Sequence, residues 1–181
     1  MLGSPVRVFR PSRLDRRERG VLMNDQTMDT RTSRPATVWI LILLLAFLGL
    51  NALVAGAAFI LAPDGHLIQM PMSNLERAPF TDFLVPGILL SLFIGIYPIV
   101  IAFAIWRLPS WAWPNALNPF KAIHWSWAGS LAAGVATIVW IVVQVQWIQF
   151  GALHAIVLIW GGLILLITLL PVVRTYCTHH S

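Results

Sequence analysis

The sequence predicts an all-α fold, a four-transmembrane-helix bundle (N-in/C-in) with a short external helix between helices 1 and 2. Hydrophobic residues make up 58% of the chain and charged residues only 10%, whereas soluble domains average about 25% charged residues. The apolar residues also form four long runs. Each run can cross a hydrocarbon core of about 30 Å at about 1.5 Å per residue.

A basic tail, residues 1–36, precedes the first apolar run. Residues 1–22 carry six arginines against two acidic residues and show no apolar periodicity, so we predict that the tail is disordered. No basic face interleaved with aromatic residues accompanies the net charge of +5, so nucleic acid is not an expected partner. Met23 and Met28 are alternative starts, in which case residues 1–22 belong to a mis-annotated reading frame.

The first two helices are predicted over residues 37–62 and 82–106. A Pro-Asp-Gly turn ends the first helix, and Thr81 or Asp82 caps the second. Between them, Ser73 and Glu76 have the spacing of a capping box, which predicts the short external helix.

The last two helices are predicted over residues 123–149 and 153–173, completing a transmembrane domain at 37–174 before a cytoplasmic tail, 175–181. Three prolines in the loop 109–121 predict that it contains no regular helix.

Flanking charge predicts the orientation of these helices, because Lys and Arg accumulate on the cytoplasmic side. The loop between helices 1 and 2 holds Arg77 beside three acidic residues, and the last loop holds no charge. The other side carries the basic residues Arg31, Arg34, Arg107, Lys121 and Arg174. Both termini are therefore expected in the cytoplasm of a multi-pass protein in the cell (cytoplasmic, inner) membrane.

Three motifs carry a resemblance to a known family. They are Pro63-Asp64-Gly65 followed by Gln69-Met70-Pro71-Met72, then Ala78-Pro79-Phe80-Thr81-Asp82-Phe83-Leu84-Val85-Pro86-Gly87, and Trp140-Ile141-Val142-Val143-Gln144. Over roughly residues 38–172 the chain resembles an uncharacterised family of small four-helix bacterial integral membrane proteins, with a PDG…GMP loop and an SPFxD[FY]LIPG segment leading into helix two. Gln69 and His154 depart from the family pattern of Gly and Gln. The resemblance implies a bacterial inner membrane, but no function and no catalytic residue.

Acidic and histidine side chains gather toward the predicted external face. The candidates are Asp64, His66, Glu76, Asp82 and His154. Oxygen and imidazole ligands could together hold a divalent cation, but the spacing matches no known ligand motif. The interpretation we favour assigns Asp64 to a turn, Glu76 and Asp82 to helix N-termini, and His66 to solvent. We therefore expect no metal, no cofactor and no catalytic residue.

Haem is not expected, because His124 and His154 fall at opposite faces of the membrane. Cys177 is the only cysteine and closes no internal disulfide. The buried amides of Asn51 and Gln144 either join helices by hydrogen bonds or belong to a polar transport path.

Small residues at four-residue spacing in the third helix, Ala128, Ala132 and Ala136 with Gly129 and Ala133 beside them, predict faces where helices approach closely. These faces pack within the bundle or, alternatively, form a dimer. Residues 64–82 contain an apolar stretch that would be exposed in a plain loop, so we predict an ordered cap over the bundle. If a ligand site exists, it is expected beneath that cap.

Composition and motifs favour a non-enzymatic accessory or interaction subunit of the membrane. Its expected partners are the lipid bilayer and either a second copy or another membrane protein. Two alternatives stay open. One is a small homo-oligomeric transporter or channel, and the other is a membrane enzyme that acts on a lipid or quinone at the external face.

Overall fold

The computed structural model describes residues 34–76 and 78–178, and this part of the chain is helical without strands. Its helices are α1 Ala36–Leu61, α2 Leu84–Arg107, α3 Ala112–Leu117, α4 Trp125–Gln144, α5 Ala152–Leu169 and α6 Pro171–Thr178. Helices α1, α2, α4 and α5 are long and apolar enough to cross a membrane, so the prediction of four apolar spans is confirmed. The predictions for residues 1–33 and 179–181 lie outside the described residues.

The four long helices pack around a common core. Helix α1 contacts α2, α2 contacts α4, α4 contacts α5, and α5 contacts α1. Leu41 and Ile164 are fully buried in this core, whereas Leu43, Val54 and Leu166 are at least 63% exposed. Apolar side chains that project outward from every turn are expected where lipid is the solvent.

Glycines bring α1 and α2 into close contact. A Cβ atom on Gly49 would lie 2.6 Å from the carbonyl oxygen of Gly95, and one on Gly56 would lie 2.8 Å from that of Gly87. Larger residues would hold the two backbones apart. Apolar side chains gain little by leaving lipid, so this close backbone contact is a main source of attraction between the helices.

Helices α4 and α5 also meet through small residues, and the predicted stripe of Gly129 and Ala133 is buried. A Cβ atom on Gly134 would lie 3.2 Å from the Gly161 carbonyl oxygen, and Ala133 and Thr137 are fully buried beside it. Ala132 is exposed, so the prediction that it packs against a neighbouring helix is wrong. Two small-residue stripes run along α4 one position apart, and one position rotates a helix face by about 100°.

Helix α2 changes its winding in the middle. Leu90–Ile96 form a π-helical segment, and the Tyr97 N–H bonds the Leu92 carbonyl five residues back. Pro98, which lacks an N–H, follows directly. The Ser91 hydroxyl is buried in this segment without a hydrogen-bond partner among the described residues. Such π segments are rare and recur near functional sites.

Prolines explain two departures from the predicted helix ends. Helix α5 ends at Leu169, and Pro171 begins a separate helix, α6. Proline cannot continue a preceding helix, because it lacks an N–H, but it is favoured at the first position of a new helix. The region predicted as a plain tail is therefore helical as far as Thr178, and Val173 and Cys177 are fully buried.

The loop predicted to lack helix contains α3. Pro114 lies in the first turn of α3, where its missing N–H is not needed. The Lys121 ammonium donates to the carbonyls of Asn115 and Ala116 at 3.1 and 3.0 Å, which satisfies acceptors near the end of this short helix. Helix α4 ends at Gln144, five residues before the predicted end at 149, and continues as turns.

Candidate functional site

A segment that we call the cap, residues 64–82, joins α1 to α2. It contains two 3₁₀ turns, His66–Ile68 and Met72–Leu75. The predicted helix after Ser73 is therefore replaced by a 3₁₀ turn that begins one residue earlier, directly after Pro71, without a side-chain cap. The proposed capping box with Glu76 does not form; instead, the Glu76 N–H donates to the Ser73 carbonyl.

The cap is fastened to the helix ends at its base. The Phe83 N–H donates to the Pro63 carbonyl at 2.8 Å, and the rings of Phe59 and Phe83 stack with centroids 4.8 Å apart. Leu75 is buried in this cluster, and Met70 packs against it. Met70 folds back onto the bundle as predicted, whereas Leu67, Ile68 and Met72 of the same apolar stretch are exposed.

Tight turns let the cap reverse direction. Gly65 has φ 77° and Gln69 has φ 54°, both in the left-handed region, and the Met70 N–H bonds the Gly65 carbonyl at 3.0 Å. Only glycine adopts this conformation without strain.

A central cavity of about 220 Å³ lies beneath the cap among the four long helices. Each helix contributes to its wall, through Phe59 of α1, Leu90 of α2, Trp140 of α4 and Val157 of α5, and Met70 of the cap also contributes. Leu90 belongs to the π-helical segment. The wall is almost wholly apolar.

A smaller side cavity of about 110 Å³ lies between α2, α4 and the cap. The rings of Phe80 and Trp147 line it and meet edge to face with centroids 6.3 Å apart. The two cavities share the lining residues Phe59, Met70, Trp140, Gln144 and Ile148. They are therefore adjoining lobes of one candidate site.

Among the described residues, the amide and imidazole side chains that line the two lobes are Asn51, Gln144 and His154. Asn51 donates to the Phe47 carbonyl of its own helix at 2.8 Å, and Nδ1 of His154 accepts from the Gly151 N–H at 3.1 Å. The partly buried amide of Gln144 lines both lobes and has no hydrogen-bond partner among the described residues. Gln144 can therefore both donate to and accept from a ligand.

The predicted metal candidates are not assembled. Asp64 Oδ1 and His66 Nδ1 are 2.6 Å apart, and the hydrogen bond from His66 lowers the pKa of Asp64. Asp82 accepts from the Leu84 N–H at 3.0 Å just before α2. The N-cap of this helix is Phe83, without a side-chain cap bond, so the prediction that Thr81 or Asp82 caps it is wrong. Across residues 34–76 and 78–178, no three His, Cys, Asp or Glu side chains, Glu76 and His154 included, form a group that could hold a metal ion.

A second polar cluster, which the sequence did not reveal, lies at the opposite end of the bundle. Nε2 of His124 must donate to the Pro109 carbonyl at 3.1 Å, since a carbonyl only accepts. Nδ1 of His124 then accepts from the Ser126 hydroxyl at 2.8 Å. Ser126 also bonds Cys177, and burial raises the pKa of this thiol to about 12. A buried, protonated thiol is a poor nucleophile, so this cluster joins α6 to α4.

No protein-family model, curated protein or solved structure matches the chain. The site is therefore defined by its own geometry. From the sequence, the cap and Gln144 pointed toward it. Trp140 stood out only as part of the Trp140–Gln144 motif that carries the resemblance, and Phe59 only as an aromatic residue near the predicted end of the first helix. Those two residues line both lobes.

Proposed function

We propose that this chain is a non-enzymatic accessory or interaction subunit of a bacterial inner membrane, with both termini in the cytoplasm. The supporting observation is a closed, apolar bundle. No Asp, Glu, Lys or Arg is buried among the described residues. The buried hydroxyls of Ser130, Thr137 and Thr168 each donate to a carbonyl four residues back in their own helix, at 2.6–2.8 Å. A polar path through the bundle would need such groups to face a lumen.

Charge at the two ends supports the orientation. Arg107, Lys121 and Arg174 belong to the end that carries α3 and α6, whereas Asp64 and Asp82 belong to the cap. Lys and Arg accumulate on the cytoplasmic side, and this bias supports the proposal that the cap lies outside.

The arrangement of ionisable groups favours binding over catalysis. Asp64 and His66, the most reactive pair near the cap, are outside the residues that line the two lobes. Of the five metal candidates only His154 lines a lobe, and its Nδ1 is engaged by Gly151. General acid–base chemistry needs a proton donor or acceptor within hydrogen-bond reach of the reacting atom.

Reporter fusions test the orientation. A reporter near Asn115 or after Ser181 is expected to read cytoplasmic, and one near Asn74 external. A cytoplasmic signal near Asn74 would reverse the assignment.

Photocrosslinking tests the interaction role in the full-length protein. A photoreactive residue at Leu166, which is 63% exposed, is expected to give one discrete adduct with a membrane protein or a second copy. The same residue at Ile164, which is 0% exposed, serves as the matched control and should give none. Equal labelling at both positions, or only diffuse lipid adducts at Leu166, would contradict the role.

A flux assay tests the transport alternative. Liposomes that contain the purified protein should leak K⁺ and protons no faster than empty liposomes, with a known channel as positive control. A flux above that of empty liposomes would replace the accessory role by transport.

A further inference from the structure

The chemistry of the two lobes restricts what they can bind. Among the residues that the structure describes, 34–76 and 78–178, no Lys, Arg, Asp or Glu lines either lobe, so a phosphate or another charged head group would be desolvated without a counter-charge from them. A plain hydrocarbon chain would leave the Gln144 amide unpaired, which is unfavourable in an apolar site. The ligand that fits is neutral and apolar, with one or two polar atoms.

Aromatic side chains indicate the shape of that ligand. The rings of Phe59 and Trp140 line both lobes, and Phe83 and Trp147 line the side lobe. Aromatic rings pair favourably with other flat rings in stacked or edge-on arrangements. The central lobe, of about 220 Å³, exceeds the cavity of about 150 Å³ that holds benzene in an apolar protein core.

We propose that the site beneath the cap binds a neutral lipid with a carbonyl-bearing conjugated ring, an isoprenoid quinone in chemical class. The ring occupies the central lobe, the Gln144 amide donates to a ring carbonyl, and the first part of the tail occupies the side lobe. This proposal rests on the membrane location proposed above but not on the accessory role, since ligand binding is measured on the isolated protein.

Tryptophan fluorescence measures this binding directly. Trp140 lines both lobes and Trp147 the side lobe, so a bound quinone quenches part of the emission. Purified full-length protein in mild detergent is titrated with a short-tailed ubiquinone. Saturable quenching is expected, while quenching that rises linearly with concentration would overturn the proposal.

Two variants locate the binding. Gln144→Leu removes the polar anchor and is expected to weaken binding roughly three- to tenfold. Its matched control is Gln146→Leu, an exposed glutamine of the turn after α4 that bonds Val142 and lines neither lobe. Ala55→Phe fills the central lobe and should abolish saturable quenching, while Ala57→Phe, on the exposed side of α1, should leave it unchanged.

Decylbenzene, which has the ring and chain but no carbonyl, tests the chemistry on the wild-type protein even if a variant fails to fold. Its apparent affinity, measured as recovery of the quenched emission, should be roughly three- to tenfold weaker than that of the quinone. A short-chain phosphatidylglycerol should compete less than either. Equal competition by decylbenzene or by the phospholipid would mean that the lobes hold any hydrocarbon chain, and the quinone proposal would fall.

Discussion

Replacing Gly56 by alanine tests one of the close backbone contacts between α1 and α2. A Cβ atom on Gly56 would meet the Ser91 hydroxyl and would lie 2.8 Å from the Gly87 carbonyl oxygen. The serine can rotate, but the backbone oxygen cannot, so α1 and α2 must separate locally. Gly162 in α5 is the matched control, because a Cβ atom there would have no neighbour within 4 Å.

The expected magnitude follows from two opposing effects. Both substitutions gain the helix propensity of alanine over glycine, up to about 1 kcal/mol. Only Gly56→Ala also pays for overpacking, about 1–3 kcal/mol. Gly56→Ala should therefore unfold with a free energy roughly 1–3 kcal/mol below that of Gly162→Ala.

Thermal unfolding of the two variants in the same detergent measures this difference. A gap of roughly 2–12 °C in Tm is expected, by the scaling of about 2–4 °C per kcal/mol for chains of this length. Adding Ser91→Ala to Gly56→Ala should recover part of the loss, since it removes one of the clashing groups. If Gly56→Ala melts at or above the temperature of Gly162→Ala, the two helices do not approach as closely as described.

Three further substitutions follow from the structure. Ala133→Leu should overpack a fully buried position, which lowers the free energy of unfolding by about 1–3 kcal/mol and Tm with it. Ala132→Leu, at an exposed position, should leave Tm nearly unchanged. The reverse order would restore the predicted packing of Ala132. Ser91→Ala removes a buried hydroxyl without a partner among the described residues, so unfolding in detergent should show equal or higher stability, and a clear loss would mean that the hydroxyl is bonded. His66→Ala should raise the pKa of Asp64 toward its ordinary value, as followed by NMR titration. Because the pKa of Asp64 is lower in the folded state, any stabilisation by this pair is present above the unfolded pKa of about 3.9. It is lost as the pH falls through the folded-state pKa. An unchanged Asp64 titration would show that the pair does not form.

The four spans could be predicted from sequence because bilayer thickness fixes the length of an apolar helix. The ends of the helices were harder to predict, because a single proline can either begin or end a helix, depending on its position. Pro114 is tolerated in the first turn of α3, whereas Pro171 separates α5 from α6. Pro98 predicts a break in the hydrogen bonding of α2, but not that Leu90–Ile96 wind as a π-helix, because those hydrogen bonds depend on how α2 packs.

The candidate site could be predicted only in part. The exposed apolar stretch of the cap and the isolated amide of Gln144 were visible in the sequence. The cavity itself was not, because it is the space left where Phe59, Met70 and Trp140, from three distant parts of the chain, fail to fill the end of the bundle. Such a void depends on side-chain packing across helices, which residue spacing does not encode.

The docking of α6 has a consequence for biosynthesis. The His124 N–H, just before α4, donates to the Cys177 carbonyl at 3.1 Å, and Cys177 is fully buried. Chains grow from the N-terminus, and their segments fold in that order, so this acceptor leaves the ribosome only after all four spans. Until then, all four spans can be inserted while the start of α4 still lacks its acceptor. A premature stop just after Leu169 would therefore yield a chain that reaches the membrane but lacks the buried side chains of Val173 and Cys177. Such an incompletely packed chain is expected to be degraded by membrane quality-control proteases.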